Sequence, residues 1–303
     1  MENLKPAISL AAVPGKRQAI IDLAMEAEKR GYPGIYCPSI GDGLALCTAI
    51  AMVTERIEIA TAITPIYFRQ AQDYAPTVSF LHEISAGRFR FGIGVSHSPA
   101  LTPRCLDGGK PLSDTRAFVE QLKAVERVGE LPPIILATLR NKMIRLAAEI
   151  GDGMIFANAA RSHMGNSLAA LDGGTSNRST FFVGNMIPTC VDNDIDRARA
   201  VNRKTLSRYV LLPNYRNYWK EAGYMEEMRA VEACVADGRM DDIGKCLSDK
   251  WLDDTTIAGS PARVRDEVSK WMEAGIKTPI LVPSSTTGGQ IQACQELFDV
   301  FDG

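Results

Sequence analysis

The sequence predicts an α/β fold, a single-domain (β/α)₈ TIM barrel with a helical insertion between strands seven and eight. Three observations carry this expectation. The chain has 303 residues, and one barrel takes roughly 250 residues plus insertions. Strand-like and helix-like segments alternate from end to end. The strands are apolar throughout rather than alternating, as in a parallel sheet buried on both faces. A doubly wound sheet is the structural alternative. It usually opens with a glycine-rich dinucleotide turn, and the first turn here is Ala11-Ala12-Val13-Pro14-Gly15.

In chain order, residues 7–12 are a short apolar run before Pro14-Gly15, the first strand. Residues 16–30 carry apolar side chains at 19, 20, 23, 24 and 27, a helical stripe that Gly31 stops. Strand two is 34–38, followed by a helix over 44–56. Residues 57–66 are rich in β-branched side chains and read as strand three. A helix over 75–84 and strand four over 89–95 come next. A helix over 114–128, with Phe118, Leu122 and Val125 on one face, precedes strand five at 133–137. A helix over 142–150 and strand six at 153–158 follow, then a short helix over 162–171 closed by the turn-rich Asp172-Gly173-Gly174. Strand seven is 181–191. A long, mostly helical stretch occupies about 194–249. Ser260 then caps a helix with Pro261 at its first position, the preferred arrangement, and that helix runs to Gly275. Strand eight is 278–283, and 291–301 is the closing helix.

Composition narrows the class. Hydrophobic residues make up 46% and charged residues 23% of the chain, which is globular rather than disordered or collagenous. The net charge is −2 (34 Lys and Arg against 36 Asp and Glu) with no basic block. Neither nucleic acid nor an anionic membrane is therefore an expected partner. No apolar run approaches a membrane span and residues 1–5 do not read as a signal peptide, so a cytoplasmic protein is expected. The seven cysteines are odd in number, show no CxxC spacing, and read as reduced thiols. Three scattered histidines, with no HxH or HExxH, give no metal-cluster spacing, so no metal is expected.

Three segments in order are more specific. They are Ile57-Glu-Ile-Ala-Thr-Ala-Ile-Thr-Pro-Ile-Tyr-Phe-Arg69, Leu81-His-Glu-Ile-Ser-Ala-Gly-Arg-Phe-Arg-Phe-Gly-Ile-Gly-Val-Ser-His97, and Arg145-Leu-Ala-Ala-Glu-Ile-Gly-Asp-Gly153. With Ile257-Ala-Gly-Ser-Pro-Ala-Arg-Val-Arg265 and Glu273-Ala-Gly-Ile-Lys-Thr-Pro-Ile-Leu281, the pattern resembles the bacterial luciferase-like family, especially its branch that uses coenzyme F420. The resemblance covers nearly the whole chain. It implies a barrel, usually a homodimer, that binds a flavin or deazaflavin and a small-molecule substrate at the C-terminal mouth. It also implies a bulge in strand three at a cis peptide between non-proline residues, which by position is Ala62–Ile63. The ring would rest on Ala62, Ile63 and Thr64; from propensity alone the same segment reads as an ordinary buried strand.

Other positions follow from the same comparison. Gly92 and Gly94 flank Ile93 and would let backbone approach a ligand. Ser96 and His97 sit where strand four ends; His97, which titrates near neutrality, could donate a proton to a substrate being reduced, or it is a loop histidine facing solvent. The cofactor phosphate is expected after strands five and six, at Ala137, Thr138, Asn158, Arg161 and Ser162. Two departures stand out. Thr138-Leu139 replaces glycines common in the strand-five loop. Cys37-Pro-Ser-Ile-Gly-Asp-Gly43 stands where several relatives carry a catalytic histidine, leaving Cys37 and Ser39 as candidate pocket walls, with a buried structural cysteine as the other reading. Tyr67, Tyr215 and Trp219 are candidates to enclose the substrate. Five of the eleven Tyr and Trp residues fall between Tyr209 and Tyr224, which reads either as a lid over a flat ligand or as a hairpin packing its own core or a dimer contact.

The leading function is a coenzyme F420-dependent oxidoreductase that moves a hydride to or from a C=C, C=N or alcohol/carbonyl carbon. The alternatives are an FMN-dependent monooxygenase and a noncatalytic cofactor-binding barrel.

Overall fold

A computed structural model describes residues 5–171 and 179–302; Asp172-Gly173-Gly174 lies outside them. The barrel strands are β1 (Ala7–Ser9), β2 (Gly34–Cys37), β3 (Glu58–Thr61, continued by Thr64–Pro65), β4 (Phe89–Gly94), β5 (Ile134–Ala137), β6 (Gly153–Ala157), β7 (Phe182–Val191) and β8 (Thr278–Ser284). They form one sheet in the order β8-β1-β2-β3-β4-β5-β6-β7, and β7 also pairs with β8, so the sheet closes as a TIM barrel. The pairings are parallel, for example Ile8 with Ile35 and Ile135 with Gly153. A three-residue strand, Ile257–Gly259, adds to the outer side of β7. No helix is long and apolar enough to cross a membrane among the described residues.

Helices connect the strands: α1 (Arg17–Lys29), α2 (Gly43–Val53), α3 (Ala71–Ile84), α4 (Pro111–Lys123), α5 (Asn141–Ile150) and α6 (Met164–Ala169). The insertion after β7 supplies α7 (Ile195–Leu206), α8 (Pro213–Glu221), α9 (Met225–Ala236) and α10 (Asp249–Thr255), and α11 (Pro261–Glu273) and α12 (Gln290–Asp302) finish the chain. Two boundaries differ instructively from expectation. Helix α3 starts a turn before residue 75, because Pro76 is accommodated inside the helix instead of opening it. Strand three is not continuous, since Ala62 and Ile63 leave the ladder.

The chain divides into two compact units, Met1–Phe156 with Ala170–Gly184 and Ala157–Ala169 with Asn185–Gly303. In the first, the core is aromatic: Tyr74 lies 5.6 Å from Phe91 and 5.8 Å from Phe118, ring to ring. Near the start of the strands Glu58 accepts hydrogen bonds from Tyr36 and Arg90, and the Arg90 guanidinium lies over Phe182. Such a carboxylate is tolerated because both a cation and a hydroxyl face it. In the second unit the core is built on Trp219, Trp251 and Trp271, all fully buried.

Strand register shows how strand three is deformed. Ala60 pairs with Arg90, but Thr64 pairs with Ile93, so four steps along β3 match three along β4. One extra residue is therefore accommodated in β3, a bulge, and the Ala62–Ile63 peptide within it is cis. The glycines of β4 make room for it. A Cβ on Gly92 would lie 1.8 Å from the Thr61 carbonyl oxygen. We expect Gly92→Ala to lower unfolding stability by about 3 kcal/mol through overpacking against backbone. Gly165→Ala, where a Cβ meets nothing within 4 Å, should change it by less than about 1 kcal/mol. Urea unfolding midpoints of the two variants check the contrast.

Candidate functional site

Candidate residues occur in both units, and each group is built by its own chemistry. In the first unit the bulge is held on three sides. The Ala62 N–H donates to the Cys37 carbonyl at 2.8 Å, tying it to the exit of β2. The Thr61 hydroxyl donates to Gly92 O at 2.7 Å, and the Tyr74 hydroxyl donates to Pro65 O at 2.9 Å. Ala62 and Thr64 are buried, while Ile63 is partly exposed. The backbone groups freed from the ladder thus find partners inside the fold.

The strand-four glycines make room for this bulge. A Cβ on Gly94 would sit 3.0 Å from Ile63 Cδ1 and 2.9 Å from Ala137 Cβ. Gly94 lets Ile63 lie against the strand, and Ala137 fills the space beside it. Beyond Gly94 the chain turns sharply: Ser96 adopts φ +61 and His97 then opens a one-turn helix, Ser98–Leu101. Burial lowers the imidazole pKa of His97 below its ordinary value, so the ring is neutral at pH 7 and is better suited to accept a proton than to donate one.

The remaining first-unit candidates separate. Thr138 is buried, its N–H bonds the Ile155 carbonyl, and its Oγ1 has no partner among the described residues. A buried hydroxyl of this kind calls for one. Ser39 and Thr64 line a cavity of about 190 Å³ together with Phe68, Arg69, Tyr74 and Arg104. Cys37 does not line it. Its side chain is fully buried beside Cys47, whose thiol burial and then the Cys37 hydrogen bond push up, so its role is packing and the pocket-wall reading is corrected. The Tyr67 hydroxyl donates to Asp114 Oδ2 at 2.8 Å and accepts from the Gly109 N–H at 3.3 Å. Burial, followed by the Asp114 hydrogen bond, pushes its pKa up to about 12. It pins the loop before α4.

In the second unit the strand-six exit is roofed by the insertion. Asn158 takes φ +57 and is buried, and its carbonyl accepts from Trp219 Nε1 at 3.1 Å. The Ala160 N–H donates to the Tyr218 hydroxyl at 3.0 Å. The aromatic rings pack on one another, Tyr209 on Tyr215 at 5.2 Å, Tyr215 on Trp219 at 5.3 Å, and Trp219 on Trp251 at 4.9 Å. Of the two readings of this cluster, the hairpin with its own core is the one observed. Trp219 is fully buried and Tyr215 nearly so, which corrects the expectation that they enclose a substrate.

The expected phosphate cradle is already filled by the protein. The Ser162 N–H donates to Asp254 Oδ1 at 2.9 Å and the Ser162 hydroxyl to Asp254 Oδ2 at 2.6 Å. The Tyr224 hydroxyl donates to the same Oδ2 at 2.8 Å. Arg161 is paired with Glu267, which also receives Lys270 at 2.7 Å. Burial alone would raise the Glu267 carboxyl, but the bonds from Lys270 and Arg161 outweigh it and hold it below its ordinary value. These residues do border a cavity of about 430 Å³, with Tyr224, Lys250, Asp253 and Asp254. The donors expected to take a phosphate are nonetheless spent on the chain's own carboxylates. Ser162 does not fit as a phosphate ligand in this arrangement, and Arg161 fits only by giving up Glu267.

The partners Asp254 and Glu267 had no sequence signal, since they lie 92 and 106 positions away. Asn185 was also missed. It is fully buried in β7 and neither of its side-chain polar atoms has a partner among the described residues; an amide in a mostly apolar strand is the available clue.

Comparison with known proteins gives one coherent picture. Residues 6–278 match the family model described as luciferase-like monooxygenase. The 5,10-methylenetetrahydromethanopterin reductase of Archaeoglobus fulgidus is 23% identical over 261 residues, covering 77% of this chain and 78% of that protein. The solved structure of a coenzyme F420-dependent tetrahydromethanopterin reductase from Methanopyrus kandleri superposes with a TM-score of 0.75 at 16% identity over 97% of each chain. An F420-dependent secondary alcohol dehydrogenase, solved with an F420–acetone adduct, superposes with a TM-score of 0.73 at 16% identity over 98% of each chain. At these identities the two structures establish the shared fold alone.

Removing the Asp254 carboxylate strands three donors. Asp254→Ala should cost about 2–3 kcal/mol of stability and Tyr224→Phe about 1 kcal/mol. The double variant should cost clearly less than the sum, because the two residues share a bond. Urea denaturation of the three variants measures this, and simple additivity would show that no such bond exists.

Proposed function

Because the chain belongs to the luciferase-like monooxygenase family, we propose that it is a flavin-type oxidoreductase of the deazaflavin kind. It would use coenzyme F420 to move a hydride to or from a small organic substrate. The observation that carries the reading is the β3 bulge at Ala62 and Ile63, seated against Gly92 and Gly94. The similarity to F420-dependent proteins supports the choice of cofactor, and the family description keeps FMN as the competing reading.

The residues present fit the ring end of such a group. Ala62, Ile63 and Thr64 form a firm, mostly apolar shelf that a flat ring can rest on. The unpartnered Thr138 hydroxyl offers a hydrogen bond to a polar ring edge. The charged end of the cofactor needs donors other than those of Ser162, which Asp254 holds. When bound, the deazaflavin supplies a ring carbon that accepts or donates a hydride without oxygen.

The protein's part is orientation and proton management. Ser96 turns the chain out of β4, and His97 follows at the C-terminal end of a barrel strand, where catalytic groups of this fold lie. A neutral imidazole there accepts the hydroxyl proton of an alcohol as its carbon loses a hydride. In the reverse direction the protonated ring returns that proton to the carbonyl oxygen. The 190 Å³ cavity beside Thr64, with Ser39 on its wall, is sized for a small substrate group.

Paired fluorescence titrations of the purified protein with F420 and with FMN test the cofactor. Micromolar F420 binding with weak FMN binding is expected; preferential FMN binding with oxygen consumption would replace this reading by the monooxygenase one. Thr138→Val should weaken F420 binding about 5-fold, for the loss of one hydrogen bond of about 1 kcal/mol. The pH dependence has a definite sign. Because the His97 pKa is lowered, alcohol oxidation should lose rate only as pH falls through that lowered value, whereas carbonyl reduction should lose rate as pH rises through it. His97→Asn should abolish both limbs, and a profile unchanged by that substitution would remove His97 from the chemistry.

A further inference from the structure

The helical insertion holds two thiols in contact. Cys234 Sγ lies 3.5 Å from Cys246 Sγ. Cys234 sits in the last turn of α9 and is 3% exposed. Cys246 ends the 3₁₀ helix Met240–Cys246 and is partly exposed. The turn between them is pinned. The Arg239 N–H donates to the Cys234 carbonyl at 2.8 Å, and the Arg239 guanidinium contacts Asp237 at 2.9 Å and Asp242 at 3.4 Å. Lys245 pairs with Asp242 at 2.7 Å.

A disulfide holds its sulfurs about 2.05 Å apart. Closing the bond therefore needs an approach of roughly 1.5 Å, which side-chain rotation on a fixed turn can supply. The other cysteines do not combine proximity with access. Cys37 and Cys47 are neighbours but fully buried, Cys190 and Cys294 are buried, and Cys105 is exposed without a thiol contact among the described residues.

We propose that Cys234 and Cys246 form a redox modification site whose co-reactant is a low-molecular-weight disulfide. The Cys246 thiolate, the more accessible of the two, attacks one sulfur of the small disulfide. A Cys246–small-thiol bond forms, and the other half leaves as a thiolate. The Cys234 thiolate then attacks Cys246 Sγ, forming the Cys234–Cys246 bond and expelling the second thiolate. The two protons from the protein thiols end on the two released thiols. Two protein thiols are thereby oxidised and one small disulfide is reduced.

The bond reinforces a contact that already exists. Ser248, two residues beyond Cys246, donates its hydroxyl to Glu227 of α9 at 2.7 Å and caps α10, the helix that carries Asp254. Oxidation ties the end of α9 covalently to the segment entering α10. It removes unfolded-state freedom from that part of the insertion.

The test treats the full-length protein with oxidised glutathione or, in parallel, with dithiothreitol. Acid quenching, alkylation in denaturant, intact mass and peptide mapping follow. The reduced sample should take seven alkyl groups. The oxidised one should lose alkylation at both Cys234 and Cys246, with a single cross-link between the peptides holding those two residues, whatever glutathione the exposed Cys105 takes up. Cys234→Ser should instead accumulate glutathione on Cys246, since the resolving thiol is gone. Cys105→Ser, which removes the other exposed thiol, should leave the cross-link unchanged. A stable glutathione adduct on Cys246 of the unaltered protein, a cross-link elsewhere, or seven alkylated cysteines after oxidation would each overturn the proposal.

Discussion

The close approach of strand four to the bulge in strand three is the constraint on which the first unit depends. Ala62 and Ile63 leave the regular ladder, and the extra residue must go somewhere. It goes toward β4, where Gly92 lets the Thr61 carbonyl come close and Gly94 lets Ile63 lie flat. Everything around this follows from the same geometry. The exit of β2 is tied to Ala62, Tyr74 of α3 is tied to Pro65, and Ala137 of β5 is small because it shares the space above Gly94. A strand with side chains at 92 and 94 would force the bulge flat and remove the shelf.

The second unit solves a different problem, the burial of charge. Asp254 and Glu267 are almost excluded from solvent. Each is kept there by donors in number rather than by one strong partner, Ser162 and Tyr224 for the first and Arg161 and Lys270 for the second. A buried carboxylate is tolerated only on those terms. The consequence is functional as well as structural. Donors at a strand exit resemble an anion site by residue type, yet an internal anion has already taken them. Residue type and location establish what a group is able to bind, while its partners decide whether it is free to do so.

Much of the framework was legible before any coordinates. Apolar strands with helices between them identify a parallel sheet, Ser260-Pro261 marks a helix start, and the Ile57–Arg69 segment located the cis bond through its resemblance to a family. Local rules suffice for these, because hydrophobic periodicity and capping act over a few residues. Where expectation failed, the cause was a remote partner: Ser162 and Arg161 have the residue types of a phosphate site, and their carboxylate partners Asp254 and Glu267 lie 92 and 106 positions away.

The sequence by itself determined the barrel, the order of its elements, the position of the bulge and the family. These follow from patterns carried by contiguous residues. Only the tertiary structure decided which side chains are free. It paired Ser162 with Asp254 and Arg161 with Glu267, buried Trp219 and Cys37, left Thr138 and Asn185 without partners, and brought Cys234 against Cys246. The physical reason is that a polar group's availability depends on what the folded chain places within hydrogen-bond reach. Such neighbours are often remote in sequence, and no local pattern announces them.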